Sequence, residues 1–253
     1  VKVGLELYTA AGPEMVKRIV ERGMRVFLDL KFLDIEETVR RATSRVAAMG
    51  VEFLTVHANR KALIAAVQGR EGSSLKLLAV TVLTNFDGND LREMGIQRTV
   101  QDLVTARALL ASEVGCDGVV ASGEEATALR QTVGPHFTIV TPGVRPAGKG
   151  VDDHARATTP TQTIAAGADY LVIGRPIRDA ADPAATVGAM RSSGFSLILP
   201  FTSSAMPRRL STSGRCLPVE PAGAYVNDVA PSSVFLKAST ELMSGLSAPS
   251  RTA

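Results

Sequence analysis

The strongest constraint on the fold is a regular alternation of short apolar segments with longer amphipathic ones, which runs from Val1 to about Gly194. The short segments are rich in β-branched residues, as buried strands are, and the longer ones have the apolar spacing of helices. Strands that alternate with helices pair in parallel through right-handed crossovers. The pattern predicts seven strands, at Val1–Leu7, Val26–Lys31, Phe53–Ala58, Leu77–Thr84, Gly118–Ser122, Phe137–Gly143 and Tyr170–Pro176.

Seven strand–helix units leave two α/β architectures open. One is a (β/α)8 barrel of the TIM type with one strand missing, and the other is an open, doubly wound sheet. Polar residues recur where the predicted strands end, at Lys31, Thr84, Arg145 and Arg175. Because the carboxyl ends of the strands carry the functional site in barrels, this distribution favours the barrel.

The sequence changes character after Gly194. Residues 195–253 are rich in Ser, Pro, Thr and Ala, so we expect a barrel domain at 1–194 and a largely disordered tail at 195–253. The piece Phe195–Phe201 is apolar enough to be a strand and leaves two interpretations open. It either fills the vacant place between the last strand and the first, or it is an apolar patch within an unstructured tail. We favour the second interpretation.

Composition excludes several classes of partner. The 28 basic and 25 acidic residues give a net charge of only +3, and aromatic residues make up 4% of the chain, so we expect no nucleic-acid binding. We also expect no membrane association, because no apolar run is long enough to span a bilayer. Two cysteines, Cys116 and Cys216, lack metal-ligand spacing and suit a reducing cytoplasm.

The stretch Phe27–Ile35 carries charges within an otherwise apolar predicted strand. Asp29 and Lys31 are two positions apart, so in a strand both side chains project to the same side. Buried charges are costly unless they are paired. An isolated D-x-K pattern indicates a structural ion pair, and a functional interpretation needs further polar groups at the same end of the barrel.

Such groups occur after two later predicted strands. Arg145 and Arg175 each follow a strand, with Gly143 and Gly174 one or two positions before them. Glycine lets the backbone approach a ligand closely, and a guanidinium offers paired donors to phosphate oxygens. The two loops together predict a phosphate site, whereas either Arg alone is as typical of a protein surface.

The motif Asp29-Leu-Lys-Phe-Leu-Asp34 resembles the D-x-K-x-x-D signature of the orotidine 5′-phosphate decarboxylase family, which makes UMP in pyrimidine synthesis. The signature by itself is shared with sugar-phosphate relatives. The resemblance extends from Val1 to about Arg191 and rests on four further stretches, Val1–Leu7, Val80–Thr84, Thr141–Gly148 with the Asp pair that follows it, and Ala168–Ile177.

The resemblance implies a charged tetrad of Lys2, Asp29, Lys31 and Asp34. Decarboxylation leaves a carbanion, which needs a cation beside it and a proton donor, and Lys31 can serve as both. The resemblance implies that Asp34 and Thr38 act in the partner's site of a homodimer. It also implies that no metal or organic cofactor is needed.

The same resemblance assigns the substrate-binding residues. Arg145, Gly174 and Arg175 are implied to bind the nucleotide phosphate, and Thr84 to contact the substrate near the pyrimidine. His154 stands where the family usually has a Gln that caps the phosphate and pyrimidine.

Other departures concern the beginning of the chain. It starts at Val1, within a predicted strand, and no stretch supplies the ribose-binding Asp of the family's first strand. We therefore expect a fragment and an N-terminally incomplete barrel. Two alternative functions stay open: a metal-dependent sugar-phosphate decarboxylase or aldolase of the same superfamily, and an inactive nucleotide-binding remnant.

Overall fold

The computed structural model describes residues 1–144, 158–192 and 197–201. The strands in these ranges are β1 Lys2–Gly4, β2 Phe27–Phe32, β3 Phe53–His57, β4 Lys76–Val80, β5 Gly118–Val120, β6 Thr138–Pro142, β7 Tyr170–Val172, β8 Leu197–Ile198 and β9 Pro200–Phe201. The helices are α1 Leu5–Glu21, α2 Glu36–Ala47, α3 Arg60–Gly69, α4 Gly88–Glu93, α5 Val100–Glu113, α6 Ala126–Val133, α7 Pro160–Ala165, α8 Arg175–Arg178 and α9 Pro183–Ser192.

The strands form one parallel sheet in which each of β1 to β7 pairs with the next strand in sequence. Helices lie between successive strands, so the predicted α/β barrel is confirmed. None of the described helices is long and apolar enough to cross a bilayer.

The open edge expected beside the first predicted strand is filled. The strand predicted at Val1–Leu7 is present as β1 beside β2, and its other edge pairs in parallel with β9. The chain passes from β8, which pairs with β7, to β9 through Leu199, whose carbonyl accepts a hydrogen bond from the Lys2 backbone N–H at 2.6 Å. Residues 197–201 therefore close the barrel, and the interpretation of this piece as part of an unstructured tail is also wrong. The rest of the predicted tail lies outside the described residues.

Two effects hold residues 197–201 in the closing position, strand pairing and apolar burial. An unpaired strand edge exposes backbone donors and acceptors, and here both open edges find partners. Ile198 is fully buried and Leu197 nearly so, so the segment also adds apolar side chains to the core.

The first helix starts earlier than the sequence pattern predicts. We expected a strand as far as Leu7, whereas α1 begins at Leu5. Leu7 is buried while Leu5 is exposed, which is the spacing of a helix packed on one face. Gly12 has φ +64° and precedes Pro13, so the helix is kinked at this point.

The amino-terminal end of the barrel is held by two similar ionic clamps. The carboxylate of Asp117, before β5, accepts a hydrogen bond from the Leu77 backbone N–H at 2.7 Å and pairs with Arg70. The carboxylate of Asp169, before β7, accepts one from the Ile139 N–H at 2.8 Å and pairs with Arg130 at 2.7 Å. Each clamp ties a neighbouring strand and a helix to the start of a strand, which fixes this end of the sheet.

Aromatic rings pack across the barrel interior above these clamps. The ring of Phe53 meets that of Phe27 edge to face at 6.1 Å between centroids, and it meets that of Tyr170 at 5.5 Å. Such pairs add to the stabilisation from apolar burial. The three rings come from β2, β3 and β7, and Phe27 also lines the cavity at the other end of the barrel.

The closing segment yields a prediction about stability. Replacing Ile198 by Asp places a carboxylate where Ile198 is fully buried, so we expect the free energy of unfolding to fall by roughly 3–5 kcal/mol. Urea denaturation followed by circular dichroism measures the change. Ile64→Asp, at a position 39% exposed on α3, is the matched control and should lose less than half as much. Equal losses would show that closure does not depend on residues 197–201.

Candidate active site

A cavity of about 390 Å³ opens at the carboxyl ends of the strands. Its lining comes from β1, β2 and β4 on one side and from the chain after β6 and β7 on the other. The charged residues in the lining are Lys2, Asp29, Lys31, Arg175 and Arg178. A concave site of this size at this end of a barrel is where a small ligand binds.

Asp29 stands between two lysines. Its Oδ2 accepts a hydrogen bond from Lys2 Nζ at 3.1 Å, and its Oδ1 accepts one from Lys31 Nζ at 2.8 Å. The side chain of Asp29 is 13% exposed, whereas those of Lys2 and Lys31 are 19% and 29% exposed. The cluster has one positive charge in excess, so an anionic ligand is favoured beside it.

The backbone at Lys31 is unusual. Among the described residues, Lys31 is the one non-glycine residue with a positive φ, at +51°. This left-handed conformation costs a residue with a side chain of order 1–3 kcal/mol. The parallel register between β2 and β3 also shifts between Leu28 and Phe32. Strain of this kind persists where the surrounding structure holds it, and here it lies at the cavity.

Thr55 of β3 belongs to the same cluster, although the sequence analysis did not single it out. Its hydroxyl donates to Asp29 Oδ1 at 3.0 Å and accepts from the Lys31 backbone N–H at 2.9 Å. Thr55 lies two residues from Phe53 and therefore on the same face of β3. The available signal was a polar residue in the otherwise apolar strand Phe53–Val56.

The charges of the cluster determine how its groups titrate. Burial alone raises the pKa of Asp29, but the charges of Lys2 and Lys31, together with hydrogen bonds from both, outweigh it and leave that pKa below its ordinary value of 3.8. His57, at the end of β3, has a lowered pKa because it is partly buried and faces the charges of Arg107 and Lys31. Near neutral pH, Asp29 is therefore ionised and His57 is neutral.

The other side of the cavity carries part of the predicted phosphate site. Gly174 and Arg175, directly after β7, line it together with Gly143, which has φ +76°. Thr84 also lines it, from the loop after β4. The other two predicted binding residues, Arg145 and His154, lie outside the described residues.

Two predicted site residues do not line this cavity. Asp34 and Thr38 are both exposed, and Asp34 Oδ1 accepts a hydrogen bond from the Ile35 backbone N–H at 2.7 Å. Three members of the predicted tetrad therefore meet within one chain, and the fourth points elsewhere. Large apolar side chains flank Asp34 at the surface, with Leu33 59% exposed and Ile35 69% exposed.

The cavity contains two further polar residues that the sequence analysis passed over. Asn85 follows Thr84, and Arg178 lies one helical turn after Arg175. Arg178 pairs with Asp179 at 2.6 Å on the surface. The spacing of Arg175 and Arg178 was the available signal for the second Arg. Within the described ranges, no three His, Cys, Asp or Glu side chains are grouped as metal ligands are.

The lowered pKa of Asp29 predicts a pH dependence of stability. An ionised Asp29 stabilises the folded protein above the unfolded-state pKa of about 3.9, and this contribution disappears as the pH falls through the lower native value. We expect Asp29→Asn to be less stable than the wild type by roughly 2–4 kcal/mol at pH 7. The difference should narrow below about pH 4. Urea denaturation across this range is the measurement, and a constant difference would contradict the ionic account.

Comparisons with known proteins agree with this geometry. Residues 1–190 match the model of the "Orotidine 5'-phosphate decarboxylase / HUMPS family". The orotidine 5′-phosphate decarboxylase of Nitrobacter winogradskyi is 49% identical over 189 residues, which cover 75% of this chain and 79% of that protein. The decarboxylase of the same name from Bradyrhizobium sp. is 48% identical over 189 residues, covering 75% of this chain and 78% of the relative.

Solved structures give the same result. The crystal structure of orotidine 5′-phosphate decarboxylase from Lactobacillus acidophilus superimposes with a TM-score of 0.68 at 36% identity, and the match covers 76% of this chain and 85% of that one. The match to the family model includes β1 to β7, whose carboxyl ends surround the cavity. The chain therefore belongs to the orotidine 5′-phosphate decarboxylase / HUMPS family.

Proposed function

We propose that this chain converts orotidine 5′-phosphate to UMP and CO2. The observation that carries the proposal is the Lys2–Asp29–Lys31 cluster, which faces the same cavity as Gly174 and Arg175. One end of the cavity thus offers cations to a reacting carbon, and the other end offers donors to a phosphate. Family membership and the relatives named above support the same reaction.

Lys31 is the proposed proton donor. Loss of CO2 breaks the bond between C6 of the pyrimidine and its carboxylate carbon and leaves the electron pair on C6. The Lys31 ammonium stabilises that charge and then donates a proton to form the C6–H bond. Asp29 orients the ammonium, and Lys2 holds Asp29 from its other oxygen. A proton from water restores Lys31, so the cycle needs neither a metal nor an organic cofactor.

The remaining binding roles follow the cavity lining and the family motif. Gly174 and Arg175 bind the nucleotide phosphate. The family motif assigns the same role to Arg145. Thr84 contacts the substrate near the pyrimidine from the loop after β4. His154 takes the place of a capping Gln and donates to the phosphate. Cys116 is buried as a free thiol, in agreement with a reducing cytoplasm as the site of action.

We further propose that the active unit is a homodimer. Asp34 and Thr38 lie outside the cavity of their own chain and are exposed, as residues that complete a partner's site must be before assembly. The exposed side chains of Leu33 and Ile35 beside Asp34 supply apolar surface for such an interface. In a twofold dimer each chain then gives Asp34 to the other chain's Lys31.

The first experiment tests the reaction. Purified protein is incubated with orotidine 5′-phosphate and EDTA, and loss of the orotate absorbance is followed. We expect turnover that falls at least about 10³-fold in Lys31→Ala, because this change removes both the proton donor and the cation. Lys61→Ala, at a side chain 77% exposed on α3, is the matched control and should keep wild-type turnover.

Two outcomes would overturn this reaction. Turnover that EDTA abolishes would indicate a metal-dependent enzyme of the same superfamily. Absence of turnover together with intact UMP binding, measured by calorimetry, would indicate a nucleotide-binding remnant.

The second experiment tests the dimer by mixing two inactive variants, Lys31→Ala and Asp34→Ala. If Asp34 acts across the interface, a mixed dimer has one site with both residues intact. Random exchange makes half the dimers mixed, so we expect up to about a quarter of wild-type turnover to return. If Asp34 acts within its own chain, no intact site forms and turnover stays at the level of the separate variants.

A further inference from the structure

Thr55 is the buried hydroxyl on which the charged cluster rests. Thr55 is fully buried in β3, as are its neighbours Leu54 and Val56. A buried hydroxyl is costly unless its donor and acceptor capacity is used. Thr55 uses both, since it accepts from the Lys31 backbone N–H at 2.9 Å and donates to Asp29 Oδ1 at 3.0 Å.

The first of these bonds holds the backbone of Lys31. The ladder between β2 and β3 is in register at Leu28 and again at Phe32, with a shift between them. Lys31 lies within that interval, at φ +51°. Its N–H therefore bonds to a side chain of β3 and not to a backbone carbonyl in regular register. Thr55 supplies the partner that makes the left-handed conformation of Lys31 tenable.

The second bond fixes the Asp29 carboxylate, which is the counter-ion of the Lys31 amine. Thr55 and Lys31 Nζ both donate to the same oxygen of Asp29, at 3.0 and 2.8 Å, while Lys2 binds the other oxygen. Because the hydroxyl has one proton and that proton points to Asp29, its lone pairs face the Lys31 N–H. The two bonds thus fix the main chain of Lys31 and the counter-ion of its amine relative to each other.

We propose that Thr55 is a positioning residue, whose hydroxyl sets the place of the Lys31 amine by bridging the Lys31 backbone to Asp29. This inference rests on the proposed decarboxylation. It assigns to β3 a role in the chemistry, although the groups that face the substrate lie on other strands. Misplacement of a reacting group by a fraction of an ångström lowers the rate of the chemical step more than it weakens substrate binding. Loss of the Thr55 hydroxyl should therefore lower kcat more than it changes KM.

The experiment compares loss of the hydroxyl with loss of the methyl group. Thr55→Val keeps the shape and removes the hydroxyl, whereas Thr55→Ser keeps the hydroxyl and removes the methyl. With orotidine 5′-phosphate we expect Thr55→Val to lower kcat by about 10- to 100-fold with KM changed less than about threefold, and Thr55→Ser to stay within about threefold of wild type.

Thr43→Val is the matched control. Thr43 is also fully buried, on α2, and its hydroxyl has no hydrogen-bond partner among the described residues. The same chemical change there should leave kcat unaltered. If Thr55→Val proves too unstable to assay, Thr55→Ala replaces it, because Thr55→Ala and Thr55→Ser both lack the methyl and differ in the hydroxyl alone.

A second readout does not depend on turnover. Carbon-13 NMR of the Asp29 carboxyl follows its titration, and removal of the Thr55 donor should raise the pKa of Asp29 in Thr55→Val but not in Thr55→Ser. If the wild type does not decarboxylate the substrate, the proposed function fails while this titration still tests the bridge. Wild-type turnover with kcat unchanged in Thr55→Val, loss of kcat in Thr55→Ser, or an unshifted Asp29 titration would each overturn the inference.

Discussion

Two lysines share one largely buried carboxylate, that of Asp29, and this arrangement sets what the rest of the barrel has to supply. A carboxylate that is 13% exposed needs positive charge beside it, and Lys2 and Lys31 together carry one positive charge more than Asp29 neutralises. The excess positive charge suits a substrate that carries phosphate and carboxylate groups and a reaction that develops negative charge on carbon. To hold Lys2 beside Asp29, β1 must lie next to β2, which the parallel pairing of Val3 with Leu28 ensures.

The two ends of the barrel therefore have different physical tasks. At the amino-terminal end, Asp117 and Asp169 accept hydrogen bonds from backbone N–H groups and pair with arginines, so these two carboxylates bind the scaffold. At the carboxyl end, charges face a cavity and Lys31 holds a strained backbone. A rigid base permits strain at the other end, because the strands that carry the site are fixed where they begin.

Local patterns predicted the parts of this structure that local residues determine. Strand–helix alternation gave the barrel, and the two-residue spacing of Asp29 and Lys31 gave the ion pair. The closing strands were considered but not favoured, because each has two residues in a Ser- and Pro-rich context and they form by pairing with β1 and β7. Thr55 was missed because β-branched residues are common in strands. Its role becomes visible only when its distant hydrogen-bond partners are known. The left-handed Lys31 likewise depends on a neighbouring strand.

Closure of the barrel by residues 197–201 has a consequence for how the chain acquires its activity. The strand that carries Lys2 is synthesised long before Leu199, whose carbonyl accepts the hydrogen bond from the Lys2 backbone N–H. Contacts between such distant segments form late and slow down folding. One wall of the active site therefore stays unsupported during synthesis until residues 197–201 are available, so catalytic competence arrives with completion of the ring and not before it.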